Sequence, residues 1–163
     1  MALLPRLAAL LALAGGAAAC WDPSCRGNCD DCSAEQVVAA MAAAPDDHDV
    51  QWHGCWALAQ LAHDSPANRA AIADAGGIEA VTGAMARLPD DSYVQTTGCS
   101  ALANLAEDSP ANRAAIAAAG GIEAVTGAMA RSPEDCTVSG MLALGSLAQD
   151  SPCLLYTSPS PRD

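Results

Sequence analysis

The 163-residue sequence has no phenylalanine and no lysine, and only three tryptophans and two tyrosines. With so few bulky rings, a core has to be assembled from Ala, Leu, Ile, Val and Met. Small side chains at helix contacts let helices approach closely, which points to an all-α protein. Basic residues are equally scarce: seven arginines face nineteen acids, for a formal net charge of −12. Such a surface cannot neutralise a run of phosphates, so nucleic acid is excluded as a partner. The length suits one domain or a short repeat array and is short for a multi-domain enzyme. Alanine, by contrast, occurs 39 times. With the all-arginine basic set, it reads as the bias of a GC-rich coding sequence and carries no mechanism.

The two ends stand apart from the rest. Residues 1–19 read as a secretory signal: Arg6 closes a positive leader, Leu7 to Ala14 are apolar, Gly15-Gly16 break the run, and Ala17-Ala18-Ala19 offer a cleavage site before Cys20. The apolar stretch is too short to span a bilayer. A buried N-terminal helix is the competing reading, but it leaves that order of features unexplained. A lipoprotein signal, with Cys20 lipidated, is the one route to a membrane, although Ala17 stands where such signals usually carry leucine. At the other end, residues 153–163 (CLLYTSPSPRD) match the translation of a transposase-based sequencing adapter at all eleven codons. They read as an artefact in preference to a Ser/Pro-rich tail.

A repeat organises what lies between. DSPANRAAIADAGGIEAVTGAMARLPD from Asp64 recurs as DSPANRAAIAAAGGIEAVTGAMARSPE from Asp108, 24 of 27 positions identical at an offset of 44. Asp150-Ser151-Pro152 begins a further copy 42 residues on. Between the blocks lie GCWALAQLA from Gly54, GCSALANLA from Gly98 and GMLALGSLA from Gly140. Each unit reads as three helices. A short one starts at Pro66 or Pro110 and ends at a Gly-Gly pair. A second carries Ile78, Val81 and Met85, or Ile122, Val125 and Met129, and closes at Pro89 or Pro133. In the third, Val50, Gly54, Ala57, Leu58 and Leu61 share one face, as do Val94, Gly98, Ala101, Leu102 and Leu105. The buried glycine there is expected to admit a close neighbour.

The stretch NRAAIADAGGIEAVTGAMARLPDDSYVQTTGCSALANLAEDSP, Asn68 to Pro110, resembles the armadillo repeat in its order of N-R-x-x-I, A-G-G-I, an apolar second helix and a closing A-L-x-N-L-A. The related HEAT repeat is the competitor; the short first helix ended by Gly-Gly favours armadillo. The resemblance covers Ser33 to Pro152 and implies an all-α, right-handed α-solenoid of about three repeats (33–65, partial; 66–109; 110–152), truncated at its C-terminus. It also implies that the third helices line a concave groove for extended peptides. The family's groove pairs a tryptophan with an asparagine one turn later. Here those places hold Trp56 and Gln60, Ser100 and Asn104, and Leu142 and Ser146. No unit has both residues, so the nuclear-import type of ladder is not carried over.

Helical spacing supports the groove independently. His53, Trp56, Gln60 and His63 lie at i, i+3, i+7 and i+10, opposite the apolar face. Their counterparts are Thr97, Ser100, Asn104 and Glu107, then Ser139, Leu142, Ser146 and Gln149. A polar strip with an aromatic anchor suits peptide recognition, and an asparagine amide can both donate to and accept from a peptide backbone. The competing reading is an ordinary solvated helix face. His48, His53 and His63 fall near Cys55, but ten residues of helix between His53 and His63 span roughly 15 Å, too far for one ion. No metal site and no cofactor is expected. Ser65 and Ser109 precede prolines as helix caps, paired acids such as Asp46-Asp47 sit in turns, and Arg69 and Arg113 read as capping or repeat-to-repeat contacts. No catalytic constellation emerges.

Cys20, Cys25, Cys29 and Cys32, behind a signal, imply two disulfides with three possible pairings, a zinc knuckle being the runner-up. The segment is expected to cover one end of the repeats. Cys55 and Cys99 are expected to stay unbonded, because stacked helices lie about 8–10 Å apart whereas a disulfide needs Cα atoms within about 7 Å. The third unit is two residues shorter, which brings Cys136 to the inward place of Val94. The function expected is a secreted or lumenal, non-enzymatic binding module presenting an acidic groove to a basic extended peptide or protein. A structural repeat scaffold, or a fragment of a protein whose activity lies in another domain, is the alternative. The third unit keeps Met141, Leu142, Leu144 and Leu147 where a cap would be polar. The reading frame is therefore expected to continue past Pro152, and this chain to self-associate through that end.

Overall fold

The structure, a computed structural model, describes residues 33–149. The expected leader at 1–19, the cysteine cluster at 20–32 and the adapter-like segment at 153–163 lie outside the described residues. Eight helices and no strand occur among the described residues: α1 (Ala34–Ala43), α2 (His48–Ala62), α3 (Pro66–Asp74), α4 (Gly77–Arg87), α5 (Ser92–Ala106), α6 (Pro110–Ala118), α7 (Gly121–Arg131) and α8 (Pro133–Ala148).

Local chemistry explains most of the boundaries. Ser33 and Gln36 form a capping box at α1, and the Asp47 and Asp91 carboxylates accept from Val50 and Val94 N–H at the starts of α2 and α5. Ser65 and Ser109 accept from Asn68 and Asn112 N–H, each at 3.3 Å, with proline following in the first turn. The Gly-Gly pairs divide their work. Gly76 and Gly120 take φ of 79° and 76°, open only to glycine at low cost, whereas a Cβ on Gly77 would lie 2.9 Å from the Ile72 carbonyl oxygen.

The helices recur in the same order, and the long ones form a row. α2 packs on α5 and α5 on α8 more extensively than any other pair. Beneath the row lies one core that includes Leu58, Ile72, Ile78, Met85, Leu102, Leu105 and Ile116, all at most 1% exposed. The glycine on each long helix faces a methionine of the preceding helix in its unit. A Cβ on Gly98 would lie 2.7 Å from both Cγ and Sδ of Met85; on Gly140, 2.5 Å from the same atoms of Met129; on Gly54, 2.6 Å from Met41 Sδ. Val50 and Leu61 are only half-buried where Val94 and Leu105 are closed off. Among the described residues no short helix precedes α1, so less of the described chain packs against this unit.

Polar ties repeat as regularly as the apolar ones. Gln51 Nε2 donates to the carbonyls of Met41 and Ala44 at 2.8 and 2.9 Å, and Gln95 Nε2 does the same to Met85 and Leu88. Asn68 and Arg69 donate to Leu61 O and Ala62 O at the end of α2, and Asn112 and Arg113 to Leu105 O and Ala106 O at the end of α5. Arg87 and Arg131 Nε reach back to the carbonyls of Pro45 and Pro89. The last carbonyls of a helix have no partner within it, and these side chains supply one from outside.

The third unit departs from the pattern where the chain is two residues shorter. Ser132 alone separates α7 from α8, and α8 runs 16 residues against 15 for α2 and α5. Pro133 therefore opens α8 directly, with no intervening turn. Cys136 is fully buried, beside the Thr96 hydroxyl at 3.5 Å, while Val138 is 72% exposed. Thr137 falls where the other units have glutamine, and its hydroxyl turns to the Pro133 carbonyl.

Candidate functional site

The strip read from the sequence lies along the row of long helices. None of its twelve positions, from His53 to Gln149, is buried, whereas Gly54, Ala57 and Leu58 on the opposite side of α2 and their counterparts on α5 are closed into the core. Gln60, His63, Glu107, Leu142 and Gln149 are exposed; His53, Trp56, Thr97, Ser100, Asn104, Ser139 and Ser146 are half-buried.

Several of these side chains already bond within the protein. Asn104 Nδ2 donates to Ala59 O on α2 at 2.9 Å, tying one long helix to the next. Ser100 Oγ donates to Thr96 O and meets Ser139 Oγ at 3.1 Å, tying α5 to α8. Thr97 bonds Tyr93 O, His53 Nδ1 lies 2.7 Å from Asp49 O, and His63 Nδ1 is 2.9 Å from the Asp64 carboxylate. Glu107 pairs with Arg69 at 3.3 Å. Asn104 thus offers a ligand its carbonyl oxygen, while its amide nitrogen serves the helix joint.

Electrostatics around the strip are one-sided. The four arginines among the described residues, Arg69, Arg87, Arg113 and Arg131, each donate to a backbone carbonyl, and Arg69 and Arg113 are buried. Carboxylates meanwhile stand exposed beside the strip at Asp49, Asp64, Glu107, Asp108, Glu134 and Asp135. The field there is negative, and a guanidinium offsets it only at Glu107, which Arg69 pairs.

Beneath the row lie three free thiols, Cys55, Cys99 and Cys136, all buried. Burial, and then the neighbouring Cys99, push the Cys55 thiol up to about 12; burial, and then Cys136, do the same to Cys99. At neutral pH both are inert, packed thiols. Among the described residues no three of His, Cys, Asp and Glu converge into a set able to hold a metal ion. No helix of the described residues is long and apolar enough to cross a membrane.

Two features escaped the reading of the sequence. At the starts of α2 and α5, Trp52 meets His53 at 4.2 Å and Tyr93 at 5.3 Å (ring centroids) in tilted contacts, and His48 stacks on it at 6.2 Å. His48 Nδ1 also meets the Asp91 carboxylate, joining the first unit to the second. Trp52 was legible as the residue one turn before Trp56; Tyr93 was not, because its counterparts Asp49 and Asp135 are acidic. The second feature is the Gln51 and Gln95 clamp, signalled by a polar residue recurring three places before the glycine on an otherwise apolar face. Elsewhere, a cleft of about 450 Å³ opens between α4 and α7, lined by Glu79, Thr82, Glu123 and Arg131 and sharing no residue with the strip. Compared with protein-family models, curated proteins and solved structures, the chain matches none.

Proposed function

We propose that this chain is an armadillo-type α-solenoid that binds an extended, basic peptide or protein segment along its row of long helices and carries out no catalysis itself. On the strength of its leader sequence, we place it in the secretory pathway lumen or outside the cell. The observation that carries the reading is the accessibility of all twelve strip positions in a chain whose described arginines are turned to backbone carbonyls. Trp56 supplies apolar area, Gln60 an amide with no partner inside the helix row, and Asp49 and Asp108 supply charge.

One observation favours a second reading, in which the strip only joins repeats in a structural scaffold: the Asn104 and Ser100 side chains already bond across adjacent long helices. Fluorescence anisotropy with a library of labelled Arg/Lys-rich decapeptides separates the two. The groove reading predicts binding that weakens at least about tenfold in the Trp56→Ala/Gln60→Ala variant, with the helical circular dichroism unchanged. A scaffold shows no peptide binding, or binding indifferent to both residues.

A further inference from the structure

Five large apolar side chains are exposed among the described residues, and three of them are on α8: Val138, Met141 and Leu142, at 72%, 63% and 63%. With Glu134, Gly145 and Gln149, all exposed, they form a single stripe at helical spacings of three and four. The stripe has equivalents inside the protein. Allowing for the two missing residues, Val138, Met141, Leu142 and Gly145 stand where α5 has Thr96, Cys99, Ser100 and Ala103, and where α2 has Trp52, Cys55, Trp56 and Ala59. Those two faces are covered in part: Cys55, Ala59, Cys99 and Ala103 are buried, and Trp52, Trp56, Thr96 and Ser100 half-buried. α8 lies on the first, through Ser139 on Ser100 and Cys136 on Thr96; α5 lies on the second, through Tyr93 on Trp52 and Asn104 on the Ala59 carbonyl. The stripe on α8 therefore continues an interface the protein uses twice.

What has changed is its chemistry. Against α5, Thr96, Cys99 and Ser100 give way to valine, methionine and leucine, an apolar face like that of α2, which α5 covers in part with the Tyr93 ring. The leading face of α2, which a head-to-tail second copy would bring, offers Asp49, His53 and Gln60 instead. It would set a carboxylate over apolar carbon. The stripe itself matches. Its positions are symmetric about the midpoint between Met141 and Leu142, so an antiparallel second α8 places Val138 opposite Gly145, Met141 opposite Leu142, and Glu134 opposite Gln149. Gly145 has open space where a Cβ would be, with no atom within 4 Å, so it can receive the valine of the other copy. A parallel pairing would set Glu134 beside its own equivalent.

We propose that the chain forms a two-fold dimer in which α8 packs antiparallel on α8 of a second copy, through Val138, Met141, Leu142 and Gly145. This pairing does not depend on the peptide-groove reading, and it draws Leu142 out of that groove. Such an interface is isologous and closes at two copies. A stripe of about 22 Å belongs with small interfaces, under roughly 1,200 Å² in total, and gives micromolar association. Two acidic copies repel, so added salt strengthens the pair.

Sedimentation velocity of the 163-residue chain under reducing conditions tests this. From about 1 to 300 µM the mass should rise from one chain to two and stop there, with the midpoint moving to lower concentration in 0.5 M salt. Leu142→Glu should weaken the dimer by at least about tenfold. Gly145→Leu is the sharper variant: its Cβ meets no atom within 4 Å and it adds apolar surface, yet it fills the gap opposite Val138 and should abolish the dimer. Asp49→Lys should leave the dimer as it is. A chain that stays monomeric throughout would overturn the proposal, as would growth beyond two copies that responds to Asp49→Lys, or a Gly145→Leu variant that still dimerises.

Discussion

Gly98→Ala tests the packing of the repeats at its tightest point. Alanine in the middle of a helix gains about 1 kcal/mol over glycine, so on propensity alone the variant should be more stable. The new Cβ, however, would lie 2.7 Å from both Cγ and Sδ of Met85, itself only 1% exposed. Overpacking of a filled core costs about 1–3 kcal/mol. Cγ is one bond from the methionine's own Cβ and clears the space only by a rotamer change or a shift of α4. The cost therefore falls at the top of that range, for a net loss of about 2 kcal/mol and a fall in Tm of about 4–8 °C. Met85→Ala removes the obstructing atoms at its own cost of about 2–5 kcal/mol, and in that background Gly98→Ala should stabilise by about 1 kcal/mol. Thermal and urea unfolding followed by helical circular dichroism, at low concentration to exclude association, measure all four members of the cycle. An equal effect of Gly98→Ala in both backgrounds would refute the claim that Met85 requires the glycine.

Replacing Gln95 by leucine should cost about 1–2 kcal/mol in the same unfolding assay, because the Met85 carbonyl loses its donor in the core while the Leu88 carbonyl keeps the Asp91 N–H. Arg69→Ala should destabilise by a similar amount, measured by urea midpoint, and Arg69→Lys should recover only part of it, since Nη1 makes both the Ala62 carbonyl and the Glu107 contacts and the lysine ammonium, one bond nearer the backbone, falls short of its position. Cys55 and Cys99 have thiols raised from 9.0 to about 12 in the folded state, so the folded protein holds those protons more tightly than the unfolded chain. Their contribution to stability should be fully present below about pH 9 and decline as pH rises towards about 12, seen as a falling urea midpoint over that window. At pH 8 neither thiol should react with a maleimide until the protein is denatured, as peptide mapping by mass would show.

The residues that made the fold legible are those whose role is local. Ser-Pro before a helix, Gly-Gly after it and apolar residues at three and four places identify helices and their inner faces without knowledge of any neighbour. The 44-residue offset then carried those faces from one unit to the next, and the two-residue deletion alone was enough to place Cys136 inward in Val94's position. What stayed hidden depends on which helix lies alongside. Asn104 is on the accessible strip as its spacing requires, but only the position of α2 reveals that its amide is given to the Ala59 carbonyl. Tyr93 meets Trp52 across two helices from places whose repeat equivalents are unlike, so no periodicity links them. Gln51 and Gln95 look misplaced on an apolar face until the ends of α1 and α4 are seen to present carbonyls to them.

The most direct test of the central claim is the indole N–H signal of Trp56 in a ¹⁵N-labelled chain titrated with an Arg/Lys-rich decapeptide. Recognition along the long helices predicts a concentration-dependent shift of that signal and of the Gln60 side-chain amide. Backbone shifts should be confined to residues beside them on α2 and α5, and an acidic peptide of equal length should produce none. Shifts centred instead on Glu79 and Glu123 in the cleft between α4 and α7, or no shift with saturating basic peptide, would contradict the account.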